Sequence, residues 1–185
     1  CAQDRLNEKT LARELGAGTA DFADIASRDA LLAALDGGFP VPCVLKTRRF
    51  GYDGKGQAKI LARADAAAAW DTIGGQPAIL ESFVRFDIEV SVVAARGTDG
   101  EFRAFDVTEN EHRDHILHRS LAPARIGPET AAAAIDIARR IAAALDYVGV
   151  FAIEFFAMPP GSATPILVNE IAPRVHNSGH WTMDG

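Results

Sequence analysis

Two apolar runs near the end of the chain, VFAIEFFAM (150–158) and PILVNEIA (165–172), are separated only by PPGSAT. Both are rich in β-branched and aromatic residues and read as strands. A parallel connection needs a dozen or more residues, so this link makes an antiparallel hairpin. The pattern recurs upstream. FDIEVSVVAARG (86–97) alternates, with Ile88, Val90 and Val92 on one face, and Thr98-Asp99-Gly100 turns it back into EFRAFDVTEN (101–110). PVPCVLKTR (40–48) and GQAKILA (56–62) read as another strand pair around an Asp-Gly turn. AILESFV (78–84) is a further strand, and EHRDHILHRSLAPARI (111–126) holds a short one. Hairpins outnumber long crossovers, which predicts an α+β architecture with largely antiparallel sheets.

Helices are expected over Asp4–Leu15, ended by Gly16, and over 27–38, where Ser27 caps a face of Leu31, Leu32 and Leu35. A third, alanine-rich helix is predicted for Asp65–Ile73. The clearest is Pro128–Leu145, with Ile135, Ala138, Ala142 and Leu145 as its apolar stripe. A composition shift at Gly74–Pro77 divides the chain into a smaller lobe, 1–76, and a larger one, 77–185.

A length of 185 residues buries a core without disulfides. The net charge of −6 argues against a broad nucleic-acid surface. The two cysteines, Cys1 and Cys43, are far apart, which suits a reducing compartment. No apolar run approaches the ~18 residues of a membrane span, and no secretory leader opens the chain. These features predict a cytoplasmic protein that binds neither membrane nor nucleic acid. The chain begins on Cys and stops at HWTMDG, so it is expected to be a piece of a longer protein.

FGYDGKGQ (50–57) places three glycines and a lysine in one hairpin tip. It matches neither GxxxxGK[ST] nor GxGxxG and runs from strand to strand rather than strand to helix. Bare amides with Lys55 beside them suit a lid over phosphates, and a plain surface turn is the other reading. Lys46, Arg48 and Arg49 precede the tip, with alternation placing Lys46 and Arg48 on one side and Arg49 on the other. They form either a phosphate-holding cluster or a solvated strand edge. In the late hairpin, a turn near Gly161-Ser162 sets Glu154 opposite Asn169 or Glu170. Acids inside such apolar strands are costly unless paired or bound to a cation. Two carboxylates and an amide suit Mg²⁺; a solvent-facing sheet is the alternative. His112, His115 and His118 share no single face and read as surface histidines rather than a zinc site. APRVHNSGHWT follows the last strand with Arg174, His176, Asn177, Ser178 and His180, a donor-rich loop suited to an anion.

KTRRFGYDGKGQ, ESFVRFDIEVSVV, GVFAIEFF and NEIAPRVHNSGHWT together resemble the ATP-grasp family, and within it the 5-(carboxyamino)imidazole ribonucleotide synthases of purine biosynthesis. The resemblance runs over nearly the whole chain and implies the ATP-grasp fold. It implies ATP-dependent carboxylation of 5-aminoimidazole ribonucleotide by bicarbonate through carboxyphosphate. Mg²⁺ is the implied metal, with Mn²⁺ as its substitute. By this pattern Lys46 contacts the nucleotide phosphates, and Gly51, Tyr52, Asp53, Gly54, Lys55, Gly56 and Gln57 form the closing loop. Glu81, Ser82, Phe83 and Val84 pass along the adenine, Glu89 accepts from the ribose, and His112 touches the nucleotide. Glu154 and Glu170 bind the metal with Asn169 beside them. Tyr52, Lys55, Arg174 and His176 meet the ribonucleotide or bicarbonate. The family's amino-terminal and carboxy-terminal domains have no counterpart here, so this central region alone is expected to be inactive and the full-length enzyme to be a homodimer. Another ATP-grasp carboxylate–amine ligase and a non-catalytic nucleotide-binding module are the competing readings.

Overall fold

The computed structural model describes residues 3–49, 56–113 and 116–183. These form four α-helices and ten strands in two antiparallel sheets, and divide into two compact units. The expected α+β class with antiparallel sheets is what the chain adopts.

The smaller unit holds residues 3–7 and 20–84. Its sheet joins β1 (Phe22–Ile25), β2 (Cys43–Thr47), β3 (Gln57–Ile60) and β4 (Ala78–Ser82) in the order β1-β4-β2-β3. Helices α2 (Arg28–Asp36) and α3 (Ala66–Thr72) cover one face. Ser27 caps α2 as expected, its Oγ accepting from Ala30 N at 3.1 Å. Cys43, Leu45, Ala78 and Leu80 alternate into a core with Ile25, Leu31 and Ile60. The shift at Gly74–Pro77 lies inside this unit, because β4 pairs with both β1 and β2. The unit's last residue is Val84 rather than one near 76.

The larger unit holds residues 8–19 and 85–185. It includes most of α1 (Arg5–Glu14), and its sheet uses β5 (Ile88–Arg96), β6 (Phe102–Ala104), β7 (Thr108–Arg113), β8 (Ile116–Leu121), β9 (Gly149–Ala157) and β10 (Ile166–Ala172). The order is β10-β9-β5-β7-β8, with β6 also on β5. EFRAFDVTEN was expected as one strand. It breaks into β6 and β7 because its register on β5 slips by one residue: Ala104 faces Ala94 and the Phe105 amide still donates to Val93 O, but the chain rejoins with Thr108 opposite Ser91. Helix α4 (Pro128–Ala144) packs on the sheet through Ala134, Ile137, Ala138, Ile141 and Ala142. The stripe is therefore centred on Ile137 and Ile141, and Ile135 and Leu145 lie at its margin. Val90, Val92, Phe151, Ile153, Phe155, Val168 and Ile171 form the sheet's half of the core. The opposite face carries the polar residues considered next.

Candidate active site

In the larger unit Glu154 stands directly opposite Glu170 across β9 and β10, and opposite Ser91 across β9 and β5. The sequence left Asn169 and Glu170 as the two choices; the register selects Glu170. Between Val168 and Glu170 the ladder shifts by one residue, and Asn169 is the extra one. Core residues Val168 and Ile171 thus bracket two positions rather than one, so both Asn169 and Glu170 leave the apolar face.

A hydrogen-bonded chain crosses this polar face. Ser120 Oγ donates to Asn110 Oδ1 at 3.0 Å, and Asn110 Nδ2 donates to Ser91 Oγ at 2.9 Å. Ser91 Oγ donates to Ser178 Oγ at 2.7 Å, which lies 2.9 Å from His176 Nδ1. The Ser178 amide also donates to that Nδ1, at 3.3 Å. Nδ1 is therefore an acceptor, and the ring proton sits on Nε2, 3.2 Å from Glu154 Oε1. Every donor in the chain from Asn110 onward points toward the carboxylate. Ser91 and Ser178 are fully buried, which suits a satisfied network. The 3-10 segment Asn177–Met183 approaches β5 closely because residue 179 is glycine: a Cβ there would lie 3.2 Å from Val93 Cγ1.

Glu89, two residues before Ser91 and opposite Asn110, pairs with Nδ1 of His112. The hydrogen bond that the His112 ring donates to the Glu89 carboxylate holds the imidazole above its ordinary pKa against the opposing effect of burial, with Glu154 adding attraction. The structure thus brings together Glu89, His112, Glu154, Asn169, Glu170 and His176. Arg174 is exposed, its guanidinium donating to Val175 O at 2.9 Å. His118 is exposed, as expected for a surface histidine.

In the smaller unit Lys46 Nζ lies 2.8 Å from Glu81 Oε2. Lys46 and Val44 alternate away from the core, and Val44 stands opposite Glu81, so the two side chains meet diagonally. Ser82 N donates to Asp21 O at 2.8 Å and Phe83 N to Pro42 O at 3.1 Å. The Lys59 ammonium lies 5.9 Å from the centre of the exposed Phe83 ring. The expected split of Arg48 and Arg49 to opposite sides does not occur. The strand ends at Thr47, and both guanidinia turn to the buried Asp4 carboxylate, Arg48 Nη2 at 2.9 Å and Arg49 Nε at 3.1 Å. Those two arginines serve that carboxylate rather than forming a phosphate cluster with Lys46. Gly51, Tyr52, Asp53, Gly54, Lys55 and His115 lie outside the described residues; Gly56 adopts φ 70°, and Gln57 opens β3.

Among the described residues no group of three or more acidic, histidine or cysteine side chains forms a metal cage. Two carboxylates with an amide beside them fit a different ion. Mg²⁺ keeps several waters and binds through one or two carboxylates plus substrate phosphates. The all-oxygen donor set of Glu154, Glu170 and Asn169 meets that requirement.

Sequence reasoning missed Ser91 and Asn110 as members of this polar chain, and Asp4 as the partner of Arg48 and Arg49. Ser178 was noticed only as part of a donor-rich tail. A serine in the middle of the apolar run EVSVVAA was the available signal for Ser91.

The ATP-grasp domain family matches residues 10–185, and the chain belongs to the ATP-grasp family. It is 48% identical over 183 residues to the N5-carboxyaminoimidazole ribonucleotide synthase of Brucella melitensis, covering 98% of this chain and 49% of that one. The crystal structure of N5-carboxyaminoimidazole ribonucleotide synthetase from Thermus thermophilus superposes with a TM-score of 0.88 at 44% identity, covering all of this chain and 48% of that one. N5-carboxyaminoimidazole synthase from Aspergillus clavatus, solved with ADP and 5-aminoimidazole ribonucleotide, superposes at 0.87 with 28% identity, covering all of this chain and 47% of that one. The chain spans about half the length of the relatives it matches.

Proposed function

We propose that the full-length protein carrying this chain is an ATP-dependent carboxylating ligase of purine biosynthesis, joining bicarbonate to the amine of 5-aminoimidazole ribonucleotide. The observation that carries the reading is the Glu154–Glu170 pair, set opposite one another on two strands of an ATP-grasp chain. Likeness to synthases of this reaction names the substrates.

In this reading a bicarbonate oxygen attacks the γ-phosphorus, the bond to the ADP oxygen breaks, and carboxyphosphate forms. Carboxyphosphate splits to phosphate and CO₂, which the ribonucleotide amine takes up with loss of a proton. Bound Mg²⁺ would offset phosphate charge. The chain's own groups bind and orient. Lys46 meets phosphate, held ready by Glu81. Residues 81–84 lie along the adenine; the Ser82 and Phe83 amides are already donated within the unit, so carbonyls of this segment read the purine amine. Glu89, oriented by His112, accepts from the ribose. Glu154, Glu170 and Asn169 hold the metal, with His176 donating to Glu154 from a proton position set by Ser178. Gly51–Gln57 close over the phosphates and keep water from carboxyphosphate. Tyr52, Lys55 and Arg174 meet bicarbonate or the ribonucleotide, while His176, its two ring nitrogens taken by Ser178 and Glu154, orients that carboxylate.

The bicarbonate and the homodimeric state of the full-length enzyme rest on the family resemblance. A cytoplasmic location rests on the same resemblance; Cys43 is a buried free thiol whose pKa desolvation pushes up to about 11, and among the described residues no helix is long and apolar enough to cross a membrane. The test is ADP release by the full-length protein. It should require both bicarbonate and 5-aminoimidazole ribonucleotide, and release unchanged without either would overturn the assignment in favour of another ATP-grasp ligase.

A further inference from the structure

The bulge in β10 is what makes the acid pair. Before it, Val168 pairs with Phe155 and Leu167 with Phe156; after it, Glu170 pairs with Glu154. Had the first register continued, Asn169 would face Glu154 and Glu170 would face Ile153, whose side chain is in the apolar core. A one-residue slip moves a side chain to the other face of a sheet, so a regular ladder would drive Glu170 into the core.

A bulge disrupts the local ladder and frees backbone groups, and β10 ends the sheet order. The groups flanking this bulge are taken by residues 8–18. Lys9 Nζ donates to Val168 O at 3.0 Å, and Ile171 N donates to Glu8 Oε2 at 3.2 Å. Val168 N donates to Gly18 O at 2.8 Å, where glycine is needed: a Cβ would lie 2.6 Å from Thr164 Cγ2. Glu8 and Lys9 are 5% and 1% exposed, and Lys9 heads the largest fully buried side chains. Lysine and glutamate are rarely buried so completely, because desolvation must be offset by well-placed partners. Here their polar atoms end on the two backbone groups that bracket Asn169 and Glu170.

We propose that Glu8 and Lys9 are positioning residues that lock the β10 bulge, keep Glu170 on the face of Glu154, and so set the affinity for the catalytic divalent cation without touching it. The proposal rests on the reading of Glu154 and Glu170 as the cation's ligands. It extends the machinery to an adjacent pair on the first helix.

The test uses the full-length protein with Lys9→Met, Glu8→Ala and the conservative Glu8→Gln, which keeps the acceptor oxygen. Outer-shell groups at metal sites typically govern 10–100-fold in affinity or activity. Lys9→Met and Glu8→Ala should raise the Mg²⁺ concentration for half-maximal turnover about tenfold or more, leave the KM for the ribonucleotide near wild type, and speed amide exchange at Ile171. Glu8→Gln should restore both readouts. A wild-type Mg²⁺ requirement in Lys9→Met and Glu8→Ala overturns the proposal, as does unchanged Ile171 exchange in Glu8→Ala. Should those two variants fail to fold, Glu8→Asp decides: folded with a raised Mg²⁺ requirement it supports the clamp, and with a wild-type requirement it overturns it. If the wild type shows no Mg²⁺-dependent turnover, the functional reading fails, while Ile171 exchange still reports whether the clamp holds the bulge.

Discussion

Asp4 shows how a single buried carboxylate organises its neighbours. It is 3% exposed, and it receives Arg48, Arg49 and the Leu6 amide. Burial pushes its pKa up, but the Arg48 and Arg49 hydrogen bonds outweigh burial and hold it below the ordinary value. Its stabilisation is therefore present above the unfolded-state pKa of ~3.9 and is lost as pH falls through the depressed folded value. Asp4→Ala should cost roughly 2–3 kcal/mol at neutral pH, read by urea unfolding, with the gap to wild type closing in acid. His112 has the opposite sign. Its folded pKa is raised by Glu89, so its contribution is complete below ~6.5 and disappears as pH rises through the folded value. His112→Gln should flatten the stability–pH curve on that alkaline side. An unchanged slope would show that the Glu89 pair carries no such linkage.

At the scale of elements, the late hairpin depends on one extra residue. Deleting Asn169 should give a regular β9–β10 ladder in which Glu170 follows Val168 directly and still faces Glu154, so the larger unit should keep its fold while the Mg²⁺ requirement rises with the loss of the amide beside the acid pair. Thermal unfolding with Mg²⁺ titration checks it; an unchanged metal response would deny Asn169 its place beside the cation. Much of this level was legible beforehand. Alternation in FDIEVSVVAARG, the short PPGSAT link and Ser27 marked strands, hairpin and cap where they occur. Phe22–Ile25 escaped notice because FADI is too short to show a period. The α4 stripe was misplaced because alanines on every side blur its apolar face. The acid pair was visible as charges interrupting apolar runs. Its supports were not: Glu8 and Lys9 lie inside the expected first helix with nothing in the sequence to single them out, and only tertiary register reveals that they end on β10.

For the whole molecule, each unit supplies a distinct chemistry. The smaller holds Lys46, braced by Glu81, and residues 81–84, proposed to lie along the purine; the larger holds Glu89, the two acids proposed as metal ligands and the serine–histidine chain. Glu154→Gln with Glu170→Gln in the full-length protein should lower kcat about 100-fold or more while circular dichroism and unfolding stay near wild type. The central claim is that Glu154 and Glu170 together grip magnesium nucleotide. Its most direct test is a crystal structure of the full-length protein with Mg²⁺ and a non-hydrolysable ATP analogue. The expected result is a cation about 2.0–2.1 Å from a carboxylate oxygen of each residue and bridged to the analogue's phosphates. A cation held by phosphates and water alone, with both carboxylates outside its coordination shell, would contradict the account.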